Sequence, residues 1–448
     1  MSKARIAAAF ALTLSVFGCS NGATIHHGVG GNGPTTGASG GGGTGGGSTS
    51  NGGGGGTTSN GGGTTSSGGG SGDIPGCVPG GPNDDEDMDH YTPAQGDCDD
   101  CNPLINPGAV NIPGDPTSYD CSGNNNPPAA CDQSATNKND ATSIAQSMEL
   151  CDSRFIKDAE IAYPPASTGA LTKTDPNSAR NVVTSFGVLT PHQGANMAML
   201  STGIAFNVPG VAYPSPQEGT AFSTTHANPL PSIIGAAGCG SGAEQDTVND
   251  YTEVVFTLKA PTNVKSFSFD FQFFSAEYPE FVCSDYNDEF FAIIQSSKTY
   301  TTAQNISFDS KNNPVTINSG FFTVCSNWSG STYTDNCNPS TPISTISGTG
   351  YDGKDPDPLD LGADIGGSTG WLTTTVPIMP AEDITLRFVI FDENDHIYDS
   401  AVLLDNFKWG TTAVTGPPVT IPITYRTKKT THHKAMAPVV HESLMCGA

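Results

Sequence analysis

Basic side chains are scarce in this 448-residue chain: 18 Lys and Arg stand against 44 Asp and Glu, giving a formal net charge of −26. A nucleic-acid binder needs a basic surface to displace counterions from phosphates, so that class is excluded. Charged residues reach only 14% and hydrophobic ones 35%, the latter below the globular norm. Past the N-terminus no run of 18 apolar residues is present to cross a bilayer as a helix. Gly (55) and Pro (33) are abundant instead, so part of the chain is not a packed domain.

Lys3 and Arg5 precede an apolar stretch, Ile6 to Phe17, that is too short to span a membrane and reads as a signal peptide over 1–18. Its end, Val16-Phe17-Gly18-Cys19, resembles the lipobox of bacterial lipoproteins. The resemblance implies a lipidated Cys19, and Ser20 after it favours outer-membrane sorting over inner-membrane retention. The expected location is therefore the outer membrane, lipid-anchored through Cys19 and facing the cell surface. From His27 to Gly72 the chain is almost wholly Gly, Ser, Thr and Asn and holds 24 of the 55 glycines. Such a segment buries nothing, so a disordered tether over 19–73 is expected, with an r.m.s. span of about 35–40 Å.

Twelve Cys in an exported chain read as disulfides once Cys19 is set aside. Cys131 with Cys151 and Cys325 with Cys337 are the natural local pairs, and Cys446 is the candidate for the odd one left over. Cys98-x-x-Cys101 lacks a second such pair or nearby His residues, which favours a disulfide role over zinc.

Residues 84–100 hold eight acids and no Lys or Arg. Asp85, Asp87 and Asp89 stand at positions 1, 3 and 5 of a loop, with the Tyr91 carbonyl at position 7, which is the oxygen spacing that Ca²⁺ requires. His90 occupies position 6, where Gly is usual, and Gly96 occupies position 12, where Glu is usual. The missing carboxylate then falls to Asp97, Asp99 or Asp100; the alternative is a solvated acidic linker. Together with Gly96-Asp97-Cys98-Asp99-Asp100, Asn106-Pro107-Gly108-Ala109 and Asp120-Cys121-Ser122-Gly123, this segment resembles the metal-binding motif of bacterial surface proteins. That resemblance implies a small disulfide-stapled module with calcium loops over 74–126.

Asp140 is placed to cap a helix over 141–151, after which the pattern turns to strands. Phe267, Phe269, Phe271 and Phe273 alternate with Ser266, Ser268, Asp270 and Gln272, which gives one buried face. In Ile384 to Phe391 both faces are apolar, which predicts a central strand. The fold class expected is mainly β: a large β-sandwich or jelly roll over 138–410, followed by a basic, Pro- and Thr-rich tail over 411–448.

Acids gather at the predicted strand ends: Asp250 to Glu253, Glu277 to Phe281 with Asn287-Asp288-Glu289-Phe290, and Asp392, Asp395 and Asp399-Ser400 with Asp405-Asn406. With Leu200-Ser201-Thr202-Gly203 these strings resemble the choice-of-anchor L domain of bacterial surface proteins over about 140–410. Ala276, Asn394 and His396 depart from its usual Glu, Gly and Ser. The resemblance implies an extracellular β domain. Glu277, Asn287, Asp288, Asp392, Asp395 and Asp399 form a candidate second metal site; turn caps are the alternative reading of these acids.

No catalytic residue is assigned. Gly366-Gly367-Ser368-Thr369-Gly370 fits a hydrolase nucleophile motif but lacks the strand before it and the helix after it. The function read here is a non-enzymatic cell-surface lipoprotein, a calcium-stabilised module for binding or adhesion. Its expected partners are outer-membrane lipid and an extracellular glycan or protein, with no nucleic acid. A calcium-dependent glycan hydrolase acting through Glu277/Glu280 or Asp392/Asp395, and a surface metal-sequestering protein, are the alternatives.

Overall fold

A computed structural model describes residues 72–125, 130–137, 140–162, 179–205, 225–230, 246–279, 281–284, 286–325, 341–352 and 366–423. Cys19, the tether, Glu280, Cys337 and the basic end of the tail lie outside them.

Two antiparallel sheets form the body, with strands numbered in chain order. One runs β1 (Ile156–Ala162), β5 (Thr247–Lys259), β13 (Asp383–Asp392), β7 (Glu289–Ser296) and β8 (Gln304–Asn305), with β4 (Thr225–Ala227) on β5 and β9 (Val315–Thr316) on β7. The other runs β10 (Val324–Cys325), β11 (Gly367–Ser368), β6 (Ser266–Ser275), β14 (Ser400–Gly410), β3 (Met197–Ser201) and β2 (Arg180–Val183). In that sheet β12 (Leu372–Pro377) also pairs with β6, and β15 (Val419–Pro422) pairs with β12. Residues 419–422, assigned to the tail from sequence, thus extend the sheet.

The period-two run on β6 does what its pattern predicts. Phe267, Phe269, Phe271 and Phe273 are fully buried in one cluster with Phe256, Phe290, Ile384 and Phe388 of the facing sheet. Phe269 meets Phe388 edge-on at 5.0 Å, and Phe271 lies 5.1 Å from Phe290. β13 is central, between β5 and β7, and its second face packs Val389 and Phe391 against Val248, Tyr251, Phe291 and Ile293. Phe269→Ala leaves a ring-sized void at the centre of the sandwich. We expect it to cost about 3–5 kcal/mol, read as a lower denaturant midpoint at unchanged slope.

The single α-helix among the described residues, α1 (Ala141–Gln146), is shorter than the sequence pattern suggests. Asp140 caps it as expected, accepting from the Thr142 amide at 3.1 Å. It stops early because Glu149 adopts a left-handed φ of 65°, and the Leu150 amide turns back onto the Ala145 carbonyl at 3.0 Å. The Cys131–Cys151 disulfide then closes the segment.

The acidic module docks on the sandwich through main-chain-like pairing. Asn263 accepts from the Val110 amide (3.0 Å) and donates to its carbonyl (2.8 Å), and the Thr262 amide donates to the Gly108 carbonyl (3.0 Å). Val110 joins the main core, while Ile105, Ala109 and Tyr119 make a small core within the module. Cys98 and Cys101 are not paired with each other: the bridges are Cys77–Cys101 and Cys98–Cys121. Cys325 is disulfide-bonded, as is Cys283.

Candidate functional site

Antiparallel pairing brings the end of β6, the start of β7, the end of β13 and the start of β14 to one end of the sandwich. Ser400 stands opposite Ser275, Phe391 opposite Glu289, and Asp392 opposite Asn249 at the start of β5. Glu277, Asp288 and Asp392 are thereby gathered with none of the three more than 1% exposed, beside Asp399, Asp395 and Asp250. The Asp288 amide donates to Glu277 Oε2 at 3.2 Å, and Ser400 Oγ donates to Asp288 Oδ2 at 2.6 Å. Ser201 and Thr202 bond the Ser400 backbone, and Gly203 leaves the space that the Asp399 carboxylate fills, so a methyl there would collide with it. The Leu200-to-Gly203 string is therefore the bed on which this corner rests.

Burial raises the Glu277 carboxyl well above its usual range, and the neighbouring Asp288 adds to it. Burial likewise raises Asp392, with Asp288, Asp250 and Asp399 contributing, and pushes Asp288 up to about 8. Neither oxygen of Asp392 nor Oδ1 of Asp288 accepts a well-formed hydrogen bond, although Thr202 and Asp288 lie close enough to the Asp392 carboxyl to interact with it. Among the described residues no Lys or Arg ion-pairs with Glu277, Asp288 or Asp392. The contrast lies on the same sheet: buried Glu253 is held by Arg387 Nε and by the Tyr251 hydroxyl at 2.8 Å. An uncompensated carboxylate in a dry site must hold a proton or meet a cation. An all-oxygen donor set fits a hard cation of the Ca²⁺ class.

Two of the expected residues sit differently. Asn287 is turned away, its amide donating to Glu289 Oε1 (2.9 Å) and accepting from Asn318 Nδ2 (2.7 Å). Asp395 is at the rim, with Oδ1 on the Ile397 amide at 3.0 Å. His396, noted from sequence only as a departure from the usual Ser, has Nδ1 2.9 Å from Asp250 Oδ2, a pairing that only the folded corner makes between residues 146 apart.

In the acidic module Asp85, Asp87 and Asp89 offer oxygens within 4.8 Å of one another. The strand-end carboxylates do not offer three oxygens that close together. His90 takes the left-handed turn expected at position 6, with φ 79°. The Asp85 carboxylate accepts from the Asp89 and His90 amides, and Asp89 Oδ1 accepts from the Tyr91 amide at 2.8 Å. Asp97 brings its charge to Asp87 and Asp89, and one oxygen of each of these three is buried without a hydrogen bond. Burial, with these like charges added, raises Asp87 to about 6 and Asp89 to about 7. Of the three candidates for the position-12 carboxylate, Asp97 is the one whose charge bears on both Asp87 and Asp89. Asp100 instead holds the Gly80 and Glu86 amides, and Asp99 has Asp73 as its charged neighbour.

The hydrolase motif is not a nucleophile elbow. Ser368 lies on β11, fully buried, with Oγ accepting from Gln272 Nε2 at 2.6 Å. A cavity of about 990 Å³ opens nearby, lined by His192, Gln272, Thr369 and Trp371 among others. His192 has Nδ1 2.9 Å from Asp270 Oδ2 and its ring 4.1 Å from that of Trp371.

Comparison with known families matches residues 167–408 to the choice-of-anchor L domain. No curated protein and no solved structure matches the chain.

Proposed function

The chain belongs to the choice-of-anchor L domain family, and from that membership we propose a calcium-organised, non-catalytic module for binding or adhesion at the cell surface. Membership suggests a cell-surface protein, and no described helix is long and apolar enough to cross a membrane. The lipobox-like Val16-Phe17-Gly18-Cys19 supplies the anchor in this reading, with lipid on Cys19. The observation that carries the calcium part is Asp392, buried without a well-formed hydrogen bond to either oxygen, beside Asp288 and Glu277 and, among the described residues, without a basic side chain paired to it. Calcium there ties the ends of four strands together and fixes the loops between them for an extracellular glycan or protein.

The hydrolase alternative gains nothing from this corner. A general acid and base must reach substrate, whereas one member of each proposed pair, Glu277 and Asp392, is only 1% exposed. Metal sequestration by soft ligands fails on the disulfides, since Cys77, Cys98, Cys101 and Cys121 carry no free thiol.

The test is a calorimetric titration of calcium into the Cys19→Ser chain, followed by glycan and cell-adhesion screens in calcium and in chelator. Saturable uptake with calcium-dependent retention on a surface is the expected result. A chain that takes up no calcium, or that adheres equally well in chelator, is not the module described here.

A further inference from the structure

Three segments that neither the loop motif nor the strand-end corner uses meet beside α1. Asp132 is fully buried next to the Cys131–Cys151 bridge. Its Oδ2 accepts from the Ala195 and Asn196 amides, and its Oδ1 has no partner. Glu149, in its left-handed turn, places Oε2 on the Asn406 amide at 2.8 Å and leaves Oε1 buried and unpartnered. The third segment is the irregularity of β14 between Asp405 and Lys408, where Asn406 also turns left-handed, with φ 58°.

Asp405 Oδ2 accepts from the His192 amide at 2.5 Å and its Oδ1 from the Asn406 amide at 2.7 Å, and its carboxyl group is also hydrogen-bonded to that of Glu149. Asn406 donates its Nδ2 to Asp270 Oδ2 at 2.7 Å, which fixes the amide and leaves Oδ1 as a buried acceptor with no donor. Gly194, at φ 70°, lets the Asp132 and Glu149 carboxylates close over its α-carbon; a methyl there would collide with both.

We propose that Asp132, Glu149, Asp405 and the Asn406 side-chain oxygen form a further binding site for a divalent cation of the calcium class. Three carboxylates with no Lys or Arg ion-paired to them among the described residues lack a counter-charge. The neutral Asn406 oxygen is a separate sign, because a buried carbonyl without a donor is satisfied by a cation and not by a proton. All donors are oxygen, which suits the irregular coordination of Ca²⁺ and excludes soft metals. The site pins the 192–196 loop, and through it the His192 ring against Trp371 in the cavity wall, to the disulfide-closed helix.

The test titrates calcium into the full chain and into Glu149→Gln. The amide keeps the bond to the Asn406 amide and matches the shape of the acid, so the fold is retained, and near-ultraviolet circular dichroism checks this. We expect the stoichiometry to fall by one ion, or one binding step to weaken at least tenfold. Asn406→Gly keeps the left-handed turn and removes the oxygen, and is expected to weaken the same step. Both variants titrating like the parent chain overturns the site while leaving calcium at the strand-end corner and the acidic loop intact.

Discussion

In chelator the protein is expected to melt at progressively lower temperature as pH rises from 5 to 9, and calcium is expected to abolish that slope. The groups responsible have folded values above their ordinary ones: about 6 for Asp87, about 7 for Asp89 and about 8 for Asp288. A carboxyl raised in this way contributes stability that is complete below its unfolded value near 4 and is lost as pH rises through the folded value. Asp288 dominates because it is wholly buried, whereas solvent screens the two loop residues. Calcium replaces the protons, and at a hundredfold excess over Kd each site adds about 2.7 kcal/mol. That is roughly 5–10 °C for a domain of this size. A melting temperature in chelator that is flat or rising between pH 5 and 9 would mean these acids are not held buried and uncompensated.

Asp392→Asn gives the second large effect, and its sign differs between the two states. Asparagine has nearly the shape of the protonated acid, so in chelator the variant should melt within about 2–4 °C of the parent, or above it at alkaline pH. It removes a carboxylate that repels Asp288, Asp250 and Asp399. In calcium the variant should forfeit the strand-end increment, while Asp87→Asn, in the separate acidic loop, should leave that increment in place. Equal losses with and without calcium would make Asp392 a packing residue and remove the corner as a cation site.

The sandwich was legible where one face of a strand is buried and the other is polar. β6 announced itself by four phenylalanines at a period of two, and β13 announced its central place by apolar residues on both faces. β3 escaped because all five residues of Met197–Ser201 are buried and small or flexible, which leaves no alternation to read. β15 escaped because Val419 and Ile421 point outward from an edge strand among prolines. For the sites, local spacing sufficed at Asp85 to Asp89, where the ligating pattern lies within one turn of chain. It failed for Asp250 with His396, and for Asp132 with Glu149 and Asp405, because only tertiary packing makes these residues neighbours. The helix end failed for a related reason. Glu149 occupies a conformation that its residue type does not favour, held by its bond to the Asn406 amide 257 positions away.

The bridges Cys77–Cys101 and Cys98–Cys121 have a mechanical consequence. Tension entering the chain ahead of Cys77 passes across the first sulfur–sulfur bond to Cys101 and onward through the part docked on the sandwich. The stretch 78–97, with Asp85, Asp87, Asp89 and Asp97, lies on the slack side of that bypass. If the protein holds a cell against flow as proposed, the load runs through its disulfides and sheet edges, and an ion in the acidic loop would exchange without carrying any force.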